Sequence, residues 1–340
     1  MMRTILFCFV SIQNSTTWCQ SIDEHAVKST AAAADVLIFL VGTGEKIESE
    51  VANGAIGATL QLPGKQSALI DLGLASGKQV VVLIFTASPK NGPWMHLANA
   101  VVNAGYPQNG GGAAIADVLL GRQSFSGKLS TTWPKRWSCD VVGPDPRGHI
   151  KGRCEVLPSR LLGTNLTYRY GSAHNSLFSF GYGLSYTAFE YSSLDVPSIV
   201  DIRSPEDGVN VSVRVANVGP RDGAEIVQAY VKFLNPSVPT TDLQLVAFAK
   251  VHIQRGFSTT VHLTIRQRQI ATLHNASTTH SVYLDSHFAA DTNPVPPTWV
   301  VEQGARLQVF VGGQQPSQPI MAPSNVLNAT MMIRNLMTSN

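Results

Sequence analysis

"DVLIFLVG", residues 35–42, decides the fold. After Asp35 the run carries no polar side chain. Alternation would mark a strand with one wet face. An unbroken apolar run of this length marks a strand covered on both faces, as in a parallel sheet. Upstream, "IDEHAVKSTAAAA" (22–34) is helical in composition. Downstream, "PGKQSALIDLGLASG" (63–77) opens on Pro63 and closes on Gly77, the order expected of a helix. "KQVVVLIFT" (78–86) is a second buried strand, "ANAVVNAGY" (98–106) holds a shorter third, and "GGAAIADVLLG" (111–121) is a helix of small residues. This is α/β grammar. In such sheets, ligands sit beyond the carboxyl ends of the strands. "GTGEKIESE" (42–50), "TASPKNGPW" (86–94) and "GYPQNGG" (105–111) occupy those ends.

From about residue 187 the grammar changes. "GVNVSVRVANVGPRDGAEIVQAYVKF" (208–233) reads as two alternating strands joined at the turn "NVGPRDG". "LVAFAKVHIQRGFSTTVHLTIR" (245–266) repeats the design, and "ARLQVFVGG" (305–313) adds a strand. Short strands at this spacing predict a β-sandwich. Four segments follow: an N-terminal piece (1–21), an incomplete α/β domain (22–135), a linker without regular structure (136–186), and an all-β domain (187–335).

Composition bounds the function. Of 340 residues, 44% are hydrophobic and 14% charged, with net charge +3. That describes globular, strand- and turn-rich protein, with no basic block of the kind nucleic acid requires. No apolar run approaches the ~20 residues of a membrane span. "MMRTILFCFVSIQNS" (1–15) is short for a secretory leader, and a leader and an arbitrary start both remain open. None of the four cysteines forms a C-x-x-C pair. Cys139 and Cys154 flank a Pro/Gly/Arg-rich loop, where a disulfide would contribute roughly 3 kcal/mol. Sequons at Asn14, Asn165, Asn210, Asn275 and Asn328 favour a secreted, extracellular protein.

Candidate chemistry is sparse. The nine histidines are scattered, without metal-ligand spacing. "GLSYT" around Ser185 lacks a nucleophile elbow. "NGGGAAIADVLLG" fits neither phosphate-binding glycine motif, and tight helix–sheet packing accounts for it better. There remain Glu48 and Glu50. In extended chain they point the same way, so both could face one cleft. Like charges so placed raise one pKa, as a general acid needs. From spacing alone, two solvated loop glutamates are the commoner outcome.

The order of motifs resembles glycoside hydrolase family 3, with β-glucosidase and β-xylosidase members most similar. "ADVLIFLVG", "IESE", "LQLPGKQSALI", "VVVLIFTASP", "GGAAIADVLLG…SGKLSTTWP", "TYRYG" and "FGYGLSYTAF" carry the resemblance, and the β-rich half is similar to that family's fibronectin type III-like domain. It implies a retaining exo-acting glycosidase built from a (β/α)8 barrel, an α/β sandwich and the fibronectin-like domain. It implies a β-linked glucoside or xyloside substrate, no cofactor and no metal. "IESE" before "LQLPG" makes Glu50 the acid/base candidate, with Glu48 the alternate. Two departures stand out. The nucleophilic Asp belongs to a barrel of roughly 250 residues, which is not found here. "VANGAIGATLQLPG" (51–64) also lacks the Asp-Arg pair that family members carry. The chain alone is therefore expected to be inactive. The alternative is a remnant that binds glycans or proteins without hydrolysis. The resemblance says nothing about oligomeric state.

Overall fold

The computed structural model describes residues 5–9, 19, 21–43, 60–135, 139–144, 150–154, 167–170, 176–204, 207–274, 298–316 and 325–335. Glu48, Glu50, Asn14, Asn165 and Asn275 lie outside them. The chain divides into two compact units. One comprises residues 1–116 with 134–156, the other 117–133 with 157–340.

The first unit is α/β. Strands β1 (Ile5–Phe9), β2 (Val36–Gly42), β3 (Gln79–Phe85) and β4 (Ala100–Asn103) form one sheet in that order. Every pairing is parallel. β1 falls within residues 1–15, and its five apolar residues are a strand's length. Leu37, Ile38 and Phe39 in β2, and Leu83 and Ile84 in β3, are buried in consecutive runs, as a sheet covered on both faces requires.

Helix α1 (Glu24–Ala33) begins where Asp23 accepts a hydrogen bond from the Ala26 amide at 2.9 Å. Helix α2 (Gln66–Ala75) ends at Gly77, whose φ of 72° suits a glycine. Gly73 lets α2 approach β2 closely, since a Cβ there would lie 2.3 Å from Phe39 Cζ. Helix α3 (Gly111–Leu119) forms as expected; none of its residues is fully buried, and at Gly111 an added Cβ would lie 2.4 Å from Pro107 Cβ.

The expectation of an irregular linker is corrected in part. Strands β5 (Cys139–Pro144) and β6 (Ile150–Cys154) form an antiparallel hairpin with Cys139 opposite Cys154. Pro144 and the glycines obscured the strand pattern in the sequence.

The second unit is a β-sandwich. Its strands are β7 (Phe189–Asp195), β8 (Ile199–Ile202), β9 (Gly208–Asn217), β10 (Gly223–Phe233), β11 (Gln244–Ile253), β12 (Ser258–Arg266), β13 (Arg306–Gly312) and β14 (Val326–Asn335). One sheet has the order β8-β14-β13-β10-β11, the other β12-β9-β7. Val209, Val211, Val213 and Val215 of β9 face inward against Val227, Ala229 and Val231 of β10. The two strands therefore belong to opposite sheets, although they follow each other in sequence. The turn between them is held by Asn217, which is buried. Its amide donates to Arg221 O (2.8 Å) and Ile253 O (2.9 Å), and its oxygen accepts from Thr187 Oγ1 (2.5 Å) and Gly219 N (3.2 Å).

Residues 117–133 pack with this sandwich. Tyr186 Oη donates to Val118 O at 2.8 Å, Ser124 and Ser185 hydroxyls lie 2.9 Å apart, and Leu129 N donates to Tyr182 O at 2.8 Å. Lys128 Nζ reaches Glu225 Oε1 at 3.2 Å and Gly183 O at 3.2 Å. Tyr191 Oη donates to the same Glu225 oxygen at 3.2 Å. Burial pushes the Glu225 carboxyl above its ordinary range despite the Lys128 ammonium beside it. Burial, followed by the Glu225 charge, pushes the Tyr191 phenol well up.

Aromatic residues of the "TYRYG…GYGLSY" segment pack on the same unit. Tyr168 stacks on Phe180 at 4.1 Å and meets Tyr230 edge-on at 6.2 Å. Phe178 stacks on Tyr182 at 5.1 Å, where burial raises the Tyr182 phenol. These rings serve packing within the sandwich unit.

Candidate functional site

In the α/β unit, the carboxyl ends of β2 and β3 meet at the pair Gly42–Phe85. Gln66, the first residue of α2, is fully buried there. Its oxygen accepts from Gly42 N at 2.8 Å, while its amide donates to Gly42 O at 3.0 Å and Pro63 O at 3.1 Å. A buried strand end would otherwise leave both backbone groups orphaned. One side chain satisfies them and fixes the start of α2 against the strand.

Beyond Gly42 the chain stays anchored for one more residue. Thr43 N donates to Phe85 O at 2.9 Å, and Thr43 Oγ1 donates to Thr86 Oγ1 at 3.2 Å. Thr86 Oγ1 in turn donates to Ser88 O at 2.8 Å. Tyr106, which follows β4, brings its hydroxyl within 3.5 Å of Thr43. Lys90 is 1% exposed, and its ammonium donates to Ser88 Oγ at 2.9 Å. Trp94 is wholly buried, and among the described residues its indole N–H has no hydrogen-bond partner.

The segment carrying Glu48 and Glu50 leaves this edge at Thr43. It returns at Leu60, whose carbonyl accepts from Asn91 N at 2.6 Å. Both tethers lead to the chain just after β3. The described ends of the acidic segment thus lie where an α/β sheet binds its ligands. Two hydroxyls, a phenol, an amide and a buried ammonium surround them. Apart from the exposed Tyr106 phenol these groups are at most 2% exposed and bonded within the fold, so they fix the ends of the acidic segment at this edge. Among the described residues no group of His, Cys, Asp or Glu is placed to hold a metal ion.

Sequence reasoning identified the three loops at this edge but not Gln66, Thr43, Thr86 or Lys90. The available signals were a Gln opening an otherwise apolar helix and a Lys in the turn after a buried strand. Cys139 and Cys154 are opposite one another in the backbone register. Asn210 and Asn328 are exposed on β9 and β14.

Comparisons with known proteins agree with this architecture. Residues 11–186 match the glycosyl hydrolase family 3 C-terminal domain, and residues 225–315 match a fibronectin type III-like domain. The chain is 31% identical to thermostable beta-glucosidase B of Acetivibrio thermocellus over 331 residues, covering 94% of this chain and 39% of that one. It is 32% identical to a beta-glucosidase of Rhizobium radiobacter over 71% of its own length and 29% of the relative's. Its fold matches the crystal structure of a beta-glucosidase from Chaetomella raphigera with a TM-score of 0.69 at 24% identity, over 91% of this chain and 41% of that one. The chain therefore spans well under half the length of these relatives. By sequence, by fold and by the order of its two units, it belongs to glycosyl hydrolase family 3, as an α/β C-terminal domain followed by a fibronectin type III-like domain.

Proposed function

We propose that this chain supplies the acid/base half of a retaining β-glucosidase. Glu50 is the acid/base and Glu48 its neighbour. The nucleophilic Asp would come from a barrel outside these 340 residues. The observation that carries this reading is the anchoring of both ends of the 44–59 segment at the carboxyl edge of β2 and β3, through Thr43 and Leu60. In the retaining reaction two carboxyls flank the scissile bond about 5–5.5 Å apart. Glu50 would protonate the departing glycosidic oxygen while the Asp attacks the anomeric carbon. It would then take a proton from the water that releases the sugar. The expected substrate is a non-reducing-end β-linked glucoside, in keeping with the named relatives; a β-xyloside is the runner-up. No metal or organic cofactor enters this chemistry.

Alone, the chain would bind but not turn over its substrate, because an acid/base without a nucleophile cannot complete two steps. The absence of an acid or Arg between Val51 and Leu60 favours, as a second reading, a chain that binds glycans or proteins without hydrolysis. Secretion is part of the proposal. It is supported by exposed sequons at Asn210 and Asn328 and by the opposed backbones of Cys139 and Cys154.

The test has two parts. An immunoblot against residues 205–313 after deglycosylation should show a native band larger than 36.5 kDa by a barrel's mass, roughly 250 residues. In that polypeptide, Glu50→Gln should lower kcat on an unactivated β-glucoside by about 10²–10⁴-fold. A band at 36.5 kDa favours the binding reading. Unchanged turnover removes Glu50 from the mechanism.

A further inference from the structure

Two sequons lie on strands of the sandwich, Asn210-Val211-Ser212 on β9 and Asn328-Ala329-Thr330 on β14. Side chains alternate across a strand. Val209, Val211 and Val213 fill the core from β9, and Met331 and Ile333 do so from β14, with Leu327 packed against them. Asn210 and Asn328 therefore project from the outer faces, where both are exposed.

Their surroundings differ. The register sets Asn328 directly opposite Phe310 of β13, and Phe310 directly opposite Tyr230 of β10, so the three form one row across the outer face. Residues opposed in an antiparallel pair have Cβ atoms about 4.5–5.5 Å apart. Tyr230 is wholly buried, with Tyr168 edge-on against it, whereas Phe310, next to Asn328, is only half-buried. Asn210 has Thr264 opposite it, and Ser212 beside it faces His262, so its face offers no ring there. The Asn328 amide is also oriented. Its oxygen accepts from Gln308 Nε2 at 3.2 Å, and among the described residues its nitrogen, the atom that takes a sugar, has no partner. An N-acetylglucosamine carries C–H bonds on its faces, which suit the open part of a ring, and hydroxyls at its rim, which stay in water.

We propose that Asn328 is N-glycosylated and that its first N-acetylglucosamine packs on Phe310, prolonging the row that begins at Tyr230. This rests on the secretion reading above and needs no acid/base. A glycan on Asn210 has no such seat and extends into solvent.

The test begins with peptide mapping of the native polypeptide after amidase treatment in heavy-oxygen water, which turns each glycosylated Asn into a labelled Asp. Label at Asn328 is expected. Label at Asn210 without label at Asn328 overturns the proposal and leaves secretion standing. No label at any sequon overturns the proposal and also removes the sequon support for secretion. The seat on Phe310 is tested by melting of the complete glycosylated polypeptide. Trimming every glycan to its first sugar should leave the melting temperature unchanged. Asn328→Gln should lower it by about 2–4 °C, the shift that covering one apolar ring face gives in a unit of this size. In Phe310→Leu, which keeps apolar bulk without a flat ring, Asn328→Gln should cost nothing further. An equal loss in that background, or no loss with Phe310 present, overturns the seat. So does a loss on trimming, which would place the contact in the outer sugars.

Discussion

Lys128→Met turns a paired buried charge into an unpaired one, and its cost follows from the contacts. The Lys128 side chain is 12% exposed and that of Glu225 4%, with 3.2 Å between their charged atoms. Among the described residues, removing the ammonium leaves the carboxylate with the Tyr191 hydroxyl as its side-chain donor. Breaking a buried pair from one side typically costs about 3–5 kcal/mol. For a unit of this size, at about 2–4 °C per kcal/mol, the melting temperature should fall by roughly 6–20 °C. The loss should depend on pH in a defined direction. Burial already raises the folded-state pKa of Glu225. Without Lys128 it rises further, so the folded form keeps a proton that the unfolded chain releases. Stability of the variant then falls as pH climbs from the unfolded value, about 4.3, to the folded one, by about 1.4 kcal/mol per unit. Urea unfolding followed by tryptophan fluorescence between pH 4 and 7 measures this. The deficit against wild type should be smallest at pH 4 and widen toward pH 7. Glu225→Gln should cost less, about 1.5–3 kcal/mol, because Lys128 keeps its bond to Gly183 O. A deficit under 1 kcal/mol, or one flat with pH, would refute the view that this pair ties residues 117–133 to the sandwich.

Two further outcomes are expected. Gln66→Leu removes the amide that satisfies both backbone groups of Gly42, and at about 1–3 kcal/mol for each buried group left unpaired it should lower the α/β unit's stability by about 2–6 kcal/mol, read by calorimetry. At Glu302 burial alone would raise the carboxyl, but bonds from Thr272, Ser237 and His274 outweigh it and hold the pKa below its ordinary value. A depressed carboxyl contributes stability above the unfolded pKa and loses it as pH falls through the folded one. Glu302→Gln should therefore cost about 1–2 kcal/mol at pH 7 and nothing measurable near pH 3, in a pH series of urea midpoints. A constant deficit across that range would show that the charge is not what matters.

Much of the fold was legible because burial leaves a mark on composition. The consecutive apolar residues of β2 and β3 could only be strands covered on both sides. The alternating valines of β9 could only be one face of a sheet. Helix boundaries followed from Asp23 and Gly77, whose side chains or their absence satisfy local backbone geometry. The segment around Cys139 and Cys154 was less legible, since its prolines and glycines weaken any periodicity while leaving the hairpin possible. At the candidate site, the sequence located the loops but not Gln66 or Lys90. Both act on groups far along the chain, and no local pattern records that.

Local pattern and residue order are enough to say which residues form strands and helices, which faces they bury, and which family the chain resembles. These are properties of neighbouring residues and of their order. Which strands pair is settled by packing across the fold. β9 and β10 adjoin in sequence but lie in different sheets, because Asn217 spends its hydrogen bonds on a turn that crosses the sandwich instead of closing a hairpin. Likewise β11 and β12 separate, each ending one sheet. Residues 117–133, contiguous with the α/β sequence, pack with the sandwich through Lys128 and Glu225. Pairing of this kind is set by long-range complementarity, in which each partner's pattern fits several others. The packed structure selects among them by satisfying every buried polar group at once.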